Sequence, residues 1–344
     1  MRSKKTIATP PGTTIREQLA DRKMSQKEFA VRMDMSEKHI SRLINGETHL
    51  TPNVAQRLEA VLGVPASFWN NLEARYREKL ERVEEENAMD TDIKILKLIP
   101  YAEMVRMGWI EFANNLVEKV RNLRRYFEVA RLSVIDNHAI PGIAYRRAGE
   151  SKETNYMLAV WAQKAKIVAR DIQVSDINVQ KLSSLIPELR ALTLESPEEF
   201  CPKLSRFLAE CGIAIVFLPH IEGSFLHGVT FLDGKKIVMG LTLRGRYADK
   251  FWFSFFHELD HILEGHINKF YGPTEEDEAH ADSFAADTLI PSRAYSQFIE
   301  AKIYTFNSVV SFSKRVGIDT GIIVGRLQRD RHINYDQLTS LRKR

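Results

Sequence analysis

The segment His257-Glu258-Leu259-Asp260-His261 places two histidines four residues apart, with a glutamate directly after the first. Residues four apart lie on one face of an α-helix, so both imidazoles can bind a single ion. This spacing constrains the fold, because it needs a helix that packs on one side and carries a metal site on the other. His257 and His261 are therefore candidate metal ligands, and Glu258 is the candidate general base.

The residues around this motif predict its secondary structure. Apolar side chains repeat at helical spacing over about residues 248–264 and predict an amphipathic helix. Upstream, residues 213–218, 228–232 and 237–241 predict short β-strands, with Asp233-Gly234 as a hairpin turn. Because the chain is otherwise helix-rich, the predicted fold class is mainly α with a small β-sheet, that is, α+β.

Glu278 is the candidate third ligand. A histidine six residues after His261 would complete a different class of zinc site, but Ile267 stands there and His266 misses that position by one. Glu278 begins a second predicted helix, and Asp282 one turn later can hydrogen-bond a ligating histidine and fix its tautomer. This arrangement resembles that of thermolysin-like gluzincins. It predicts one Zn²⁺ ion with three protein ligands and a water molecule in the fourth position.

Such a site predicts peptide hydrolysis by a zinc metallo-endopeptidase. Bound zinc lowers the pKa of its water to about 7, and Glu258 would take that proton and pass it to the leaving amine. Zinc peptidases also need a group that stabilises the oxyanion. The sequence offers four unranked candidates for that group: Tyr247, His266, Tyr271 and His280.

Residues 13–63 predict a helix-turn-helix that binds DNA. Ser25-Gln26-Lys27-Glu28 is a capping box, in which the glutamate reaches back to the start of the helix. Ser36 can cap a second helix over residues 37–45, and Gly46 ends it. Two short helices joined by a turn of about three residues are typical of this motif. The residues predicted to contact DNA are Gln26, Ser36, Glu37, Lys38, Ser41 and Arg42.

The charge distribution agrees with a DNA-binding N-terminus. Residues 1–70 contain 11 Lys and Arg against 7 Asp and Glu, an excess of +4, and the whole chain also carries +4. The basic excess is therefore confined to the segment with the helix-turn-helix pattern, as phosphate contact requires.

Both ends of the chain resemble known families. The five-helix pattern of residues 13–72 is similar to the Xre/lambda-repressor-like family, and residues 13–17, 25–30 and 42–46 resemble the HigA-type antidotes of toxin–antitoxin modules. Over about residues 210–335 the chain resembles the ImmA/IrrE metallopeptidases. The motifs that carry this second resemblance are residues 240–245, 251–258, 278–291, 316–318 and 324–328. That family often has asparagine where this chain has Asp282, which leaves the hydrogen-bonding role of this position possible.

Four segments follow from these patterns. They are a helix-turn-helix domain (1–72), a connecting helix and linker (73–92, with the linker at 88–92), a helical scaffold (93–202), and a metallopeptidase domain with a helical tail (203–344). In the connecting helix, an apolar stripe can pair with a second copy in a homodimer or pack within the chain. The stripe consists of Trp69, Leu72, Tyr76, Leu80 and Val83.

The sequence also predicts a cytoplasmic location and no membrane partner. No apolar run approaches the roughly 18 residues of a membrane span, and no apolar segment follows the basic start as in a signal peptide. The two cysteines, Cys201 and Cys211, lack Cys-x-x-Cys spacing and are expected to stay reduced.

Two functions are compatible with these features. The first is a transcriptional regulator that binds a double-stranded DNA operator and whose zinc peptidase domain cleaves a regulatory protein, or the chain itself. Its context would be stress, toxin–antitoxin or mobile-element control. The alternative is a HigA-like antitoxin that represses its operon and neutralises a cognate toxin by binding, with the metal domain as a sensor or docking module. The general base Glu258 favours the regulator with a peptidase domain, and the HigA-like motifs favour the antitoxin. A third interpretation, a housekeeping protease, leaves Lys38, Ser41 and Arg42 without a role.

Overall fold

The structure, a computed structural model, describes residues 1–136, 152–221, 228–242, 247–268 and 273–342. These residues are largely helical and include one three-stranded sheet, which confirms the predicted α+β class. The chain divides into two compact units, Met1–Lys94 and Ile95–Arg344. The four segments derived from the sequence stay predictions.

The fully described segment 1–96 forms five α-helices. They are α1 (Gly12–Asp21), α2 (Gln26–Arg32), α3 (Glu37–Ile44), α4 (Pro52–Leu62) and α5 (Ala66–Leu96). The core between them contains fully buried side chains from every helix: Ile15, Phe29, Ile40, Leu58 and Trp69. Each buried side chain of this size contributes about 1.5–3 kcal/mol. Helices α2 and α3 therefore each have an apolar face that packs into this core.

The predicted starts of α2 and α3 are confirmed by their caps, and α4 begins in the same way. The side chains of Ser25, Ser36 and Thr51 each accept a hydrogen bond from the backbone N–H three residues later. One detail of the prediction is wrong, since Glu28 does not close a capping box at Ser25. Its carboxylate instead accepts hydrogen bonds from Arg32, at 3.1 and 2.7 Å, because these residues are one turn apart on an exposed face.

The linker predicted at residues 88–92 is helical, because α5 continues to Leu96. The N-terminal segment supplies the reason, since it packs along this part of α5. Ser3 and Thr6 donate hydrogen bonds to Glu86, and Lys4 forms an ion pair with Asp90 at 2.9 Å. These contacts join residues at least 80 positions apart, so no local pattern revealed them.

The apolar stripe of α5 is used within the first unit. Trp69 and Leu72 pack into the five-helix core, and Tyr76, Leu80 and Val83 pack around Ala8. Of the two roles predicted for the stripe, this favours intramolecular packing. The homodimer remains a prediction.

The second unit contains a mixed sheet formed by β1 (Ile213–Leu218), β2 (Gly228–Asp233) and β3 (Lys236–Thr242). The strand order is β1-β3-β2, with β1 parallel and β2 antiparallel to β3. All three strands agree with the sequence prediction. Among the described residues, β2 pairs with a strand on one side only and is an edge strand.

Helices surround this sheet. Before it come α6 (Tyr101–Arg106), α7 (Leu116–Phe127), α8 (Ser133–Asp136), α9 (Lys152–Ala169), α10 (Val179–Ser184), α11 (Ile186–Ala191) and α12 (Pro197–Ala209). After it come α13 (Ala248–Leu263), α14 (Glu275–Leu289), α15 (Ser292–Glu300), α16 (Phe306–Val316) and α17 (Thr320–Arg329). Short 3₁₀ helices occupy Leu192–Leu194, His266–Asn268 and Thr339–Leu341. In the described part of the chain, no helix is both long and apolar enough to cross a membrane.

Helix α13 lies at the centre of the second unit, where it packs against α14, α17, β2 and β3. Its apolar side is fully buried through Phe255, Phe256 and Leu259, as the periodicity predicted. The following helix, α14, begins at Glu275, three residues before the predicted start, because Thr274 and Asp277 form a capping box. The packing of α13 against α14 places the candidate ligands of both helices side by side.

Candidate metal centre and nucleic-acid interface

The structure brings together the three side chains predicted as metal ligands. His257 Nε2 and His261 Nε2, both from α13, lie 3.2 Å apart. Glu278, from α14, places Oε2 at 3.3 Å from His257 Nε2 and Oε1 at 3.5 Å from His261 Nε2. The potential ligand atoms therefore converge on one point, all within 4.8 Å of one another.

These distances fit a tetrahedral zinc site. With ligand bonds of about 2.0–2.2 Å, two ligand atoms of a tetrahedron lie about 3.3–3.6 Å apart. The three distances, at 3.2, 3.3 and 3.5 Å, are close to that edge length. Two imidazole nitrogens that face each other and a carboxylate are also the donor set that zinc accepts. The residues present therefore fit the metal that the sequence predicts.

Asp282 orients His257 from the far side of its ring. Its Oδ1 lies 2.8 Å from His257 Nδ1, so the opposite nitrogen, Nε2, faces Glu278 and His261. Burial alone lowers the pKa of His257, but the hydrogen bonds that its ring donates to the carboxylates of Asp282 and Glu278 outweigh burial and raise the pKa to about 9. The surroundings of the His257 ring therefore favour a positive charge at this position, either on the protonated imidazole or on a bound cation.

His261 is oriented by a different contact, which the sequence did not predict. Its Nδ1 lies 3.0 Å from Nδ1 of His266, and Nε2 of His266 lies 3.2 Å from Oδ1 of Asp277. Gly265, at φ 70°, follows the end of α13 and turns His266 back toward the helix. His266 therefore touches His261 on the side opposite Nε2, and this removes it from the candidates for oxyanion stabilisation.

Glu258, the candidate general base, is 4% exposed and lies against the edge strand β2. Thr230 Oγ1 donates a hydrogen bond to Glu258 Oε2 at 2.6 Å. A Cβ atom at position 228 would lie 2.7 Å from Glu258 Cγ and 2.8 Å from Oε1, so only glycine fits there without displacement. Sequence reasoning missed Thr230 and Gly228, because nothing local links β2 to α13.

The other candidates for oxyanion stabilisation remain unranked. His280 has Nδ1 2.9 Å from Asp260 Oδ2, and this hydrogen bond raises the pKa of His280. The ring of Tyr247 packs against Arg342, whose Cζ lies 3.8 Å from the ring centroid. Tyr271 lies outside the described residues, as does the part of the ImmA/IrrE-like motif at 243–245.

The residues predicted to contact DNA all lie on the surface of the first unit. Those six side chains are exposed: Gln26, Ser36, Glu37, Lys38, Ser41 and Arg42. Ser36 already uses its hydroxyl as the cap of α3, where it accepts from His39 N at 3.2 Å. Arg42 Nε lies 3.7 Å from Glu47 Oε2 on the exposed face, a weak pair that phosphate or base contacts can replace.

The turn between α2 and α3 is held by a residue that sequence reasoning missed. Asp34 adopts a left-handed conformation at φ 53°. Arg57, from α4, donates to the carbonyl oxygens of Met33 and Asp34 at 2.8 and 2.9 Å. These hydrogen bonds fix the angle at which α3 leaves the turn, which a helix that reads the major groove requires.

Comparison with known proteins supports the assignment of this unit. A family model described as "Helix-turn-helix" matches residues 15–69. The chain is also 38% identical over 63 residues to YddM of Escherichia coli (strain K12), named as an uncharacterized HTH-type transcriptional regulator; the match covers 18% of this chain and 67% of the relative. With this match and the geometry of α2 and α3, the N-terminal part of the chain belongs to the Xre-like helix-turn-helix family of transcriptional regulators.

Proposed function

We propose that this protein is a DNA-binding transcriptional regulator with a zinc-dependent endopeptidase site, which cleaves a regulatory protein or the chain itself. The observation that carries the peptidase part is the buried carboxylate of Glu258 beside three converging ligand atoms of His257, His261 and Glu278. A metal site that served only as a docking module would have no need for an acid–base group in this position.

The first unit supports operator binding. Lys38 and Arg42 lie on the exposed side of α3, and their cationic groups can reach guanine O6 and N7 in the major groove. Gln26 is exposed at the start of α2, and its side-chain amide can contact a phosphate or a base edge. Ser36 contributes mainly through the cap that it provides for α3.

In the second unit, His257, His261 and Glu278 would hold the zinc ion. When bound, zinc supplies a Lewis acid and lowers the pKa of a coordinated water to about 7. Asp282 keeps Nε2 of His257 directed toward the other ligands.

In this proposal Glu258 transfers the proton between the attacking water and the leaving amine. Its carboxylate accepts a proton from the attacking water and donates it to the leaving amine of the scissile peptide. Thr230 holds Oε2, which fixes the orientation of the carboxylate and leaves Oε1 for proton transfer. Burial of Glu258 at 4% exposure keeps bulk water from competing for that proton.

The edge strand β2 supports a peptide as the substrate. An extended peptide can add to an exposed sheet edge through backbone hydrogen bonds. Gly228 and Thr230 belong to β2 and lie against Glu258, so a peptide paired with this edge would pass next to the general base. The substrate class that fits is therefore an extended polypeptide segment.

The test is cleavage in cells. The wild type, Glu258→Gln and the control Glu264→Gln would be expressed beside the proteins encoded next to this gene, with DNA damage or oxidant applied. Glu264 is exposed at the end of α13 and serves as a matched carboxylate. Mass spectrometry should find fragments with the wild type and the control but not with Glu258→Gln. If no fragments appear with any of the three proteins, the peptidase proposal is wrong.

The second candidate function is an antitoxin that acts by binding. The resemblance of residues 13–17, 25–30 and 42–46 to HigA-type antidotes favours it. In this case an adjacent toxin would co-purify with both the wild type and Glu258→Gln, and neither would release fragments.

A further inference from the structure

We propose that Asp277 and His266 are positioning residues that set the metal affinity of the site through His261, in a buried Asp277–His266–His261 relay. This inference rests on the proposed function, since it needs the metal site to exist. It assigns a role to Asp277, which the sequence did not place in the site, and a different role to His266, which the sequence offered for oxyanion stabilisation.

The relay is continuous from the carboxylate to the ligand. Asp277 Oδ1 lies 3.2 Å from His266 Nε2, and His266 Nδ1 lies 3.0 Å from His261 Nδ1. The exposed fractions of His261 and His266 are 3% and 7%. The contact between the two rings is therefore shielded from solvent, which strengthens it.

The tautomers of the two rings follow from the chemistry at each end. If Nε2 of His261 binds a metal, its proton resides on Nδ1 and is donated to Nδ1 of His266. Nδ1 of His266 then has no proton, so Nε2 of His266 carries it and donates to the carboxylate of Asp277. Each link has one donor and one acceptor. The relay thus selects the tautomer of His261 whose free Nε2 faces His257 and Glu278.

Asp277 is itself held in place. Its Oδ2 accepts a hydrogen bond from Thr274 N at 2.8 Å, as part of the capping box that begins α14. The relay therefore ends at the start of the helix that carries Glu278, only one residue from that ligand. One structural element positions Glu278 directly and His261 through His266.

The two histidine ligands are consequently oriented in different ways. His257 contacts Asp282 directly, and the side chain of Asp282 is 61% exposed to solvent. His261 contacts a carboxylate only through His266, and the side chain of Asp277 is 14% exposed. Outer contacts of this kind typically change metal affinity by about 10–100-fold when they are removed. The buried relay is expected to have an effect in this range.

The experiment compares His266→Leu with His266→Asn in the full chain. Leucine fills a similar space but cannot accept a hydrogen bond from His261 Nδ1. Asparagine places its amide oxygen near the position of Nδ1, so it keeps the link to His261 and loses the link to Asp277. His280→Asn is the matched control, because His280 is a histidine of the same region whose hydrogen bond is with Asp260, which is not one of the three candidate ligands.

Zinc affinity would be measured by competition with a chelating fluorophore, and the ligand field by the visible spectrum of the Co²⁺-loaded protein. We expect His266→Leu to weaken zinc binding about 10–100-fold and to change the cobalt spectrum. His266→Asn should lose less affinity, and His280→Asn should bind as the wild type does. The melting temperature of each metal-free variant separates loss of ligation from loss of folding.

The outcomes distinguish the relay from the proposed function. If the wild type binds no zinc, the proposed function fails and the relay with it. If the wild type binds zinc and His266→Leu binds it equally well, only the relay is overturned. Equal losses in His266→Leu and His266→Asn, with equally lowered melting temperatures, would also overturn it, because His266 would then be a packing residue. Should His266→Leu not fold, Asp277→Ala decides, because alanine has no side-chain oxygen to accept the hydrogen bond from His266 Nε2. Unchanged zinc affinity in that variant overturns the relay.

Discussion

The proposed DNA-contacting surface of the first unit and the candidate metal centre of the second differ in how their residues are held. Lys38, Ser41 and Arg42 are exposed on one short helix, which is positioned by its own cap and by Arg57 at the preceding turn. His261 and Glu258 are buried, and each depends on side chains from other elements, namely His266 and Thr230. The side chains of the DNA-contacting surface are held independently of one another, whereas those of the candidate metal centre are held by hydrogen bonds to one another.

This difference determines how far the effect of a substitution spreads. On an exposed helix, removal of one side chain abolishes the contact that this side chain makes and disturbs little else, because water takes its place. In a buried cluster, removal of one side chain leaves its partners without their hydrogen bonds or ligand. The substitutions below test whether the two regions differ in this way.

His261→Ala should have the largest effect, since it removes one of three ligands and the end of the relay. We expect the zinc affinity to fall by more than the roughly 100-fold typical of an outer contact. Elemental analysis after dialysis should find little zinc in this variant. The control His280→Ala should retain the wild-type content. Full zinc in His261→Ala would show that the metal is not bound at this cluster.

Gly228→Ala should greatly reduce peptidase activity while zinc remains bound. The new Cβ would lie 2.7 Å from Glu258 Cγ, so the carboxylate or strand β2 has to move. A displacement of about 1 Å of a catalytic group can cost about 100-fold in rate. The measurement is the cleavage rate of the substrate identified in cells, with zinc content determined in parallel.

Val229→Ala, one position along the same strand, is the control for Gly228→Ala. It should retain most of the activity, because its side chain points to the other face of β2. Equal activity in Gly228→Ala and the wild type would contradict the placement of Glu258 against β2.

The sequence predicted what depends on nearby residues. Helical periodicity located α13 with His257 and His261, and capping patterns located the starts of α2 and α3. The features that the sequence missed include the contact of Thr230 with Glu258, 28 positions away, the approach of Gly228 to the same carboxylate, and the continuation of α5 beneath Ser3 and Thr6. They depend on packing between distant segments, which local patterns do not encode.

Arg42→Ala should weaken operator binding by about 1–3 kcal/mol and leave the zinc content unchanged. The physical reason is the loss of a bidentate contact with guanine. A mobility-shift titration at one fixed salt concentration measures it, because salt itself changes such affinities strongly. Arg75→Ala, which removes the same charge from an exposed position on α5, is the control. Equal affinities of these two variants would show that Arg42 makes no specific contact.

Ser36→Ala should have the smallest effect, and it tests whether this residue acts through DNA or through its own helix. Loss of the hydroxyl leaves His39 N without the cap and should destabilise the first unit by about 1 kcal/mol. For a unit of this size, that lowers the melting temperature by about 4–8 °C. Ser36→Asn restores an acceptor for the cap but changes the group presented to DNA. If the asparagine variant regains both stability and operator affinity, Ser36 acts as a cap. If it regains stability alone, the hydroxyl also contacts DNA, as the sequence predicted.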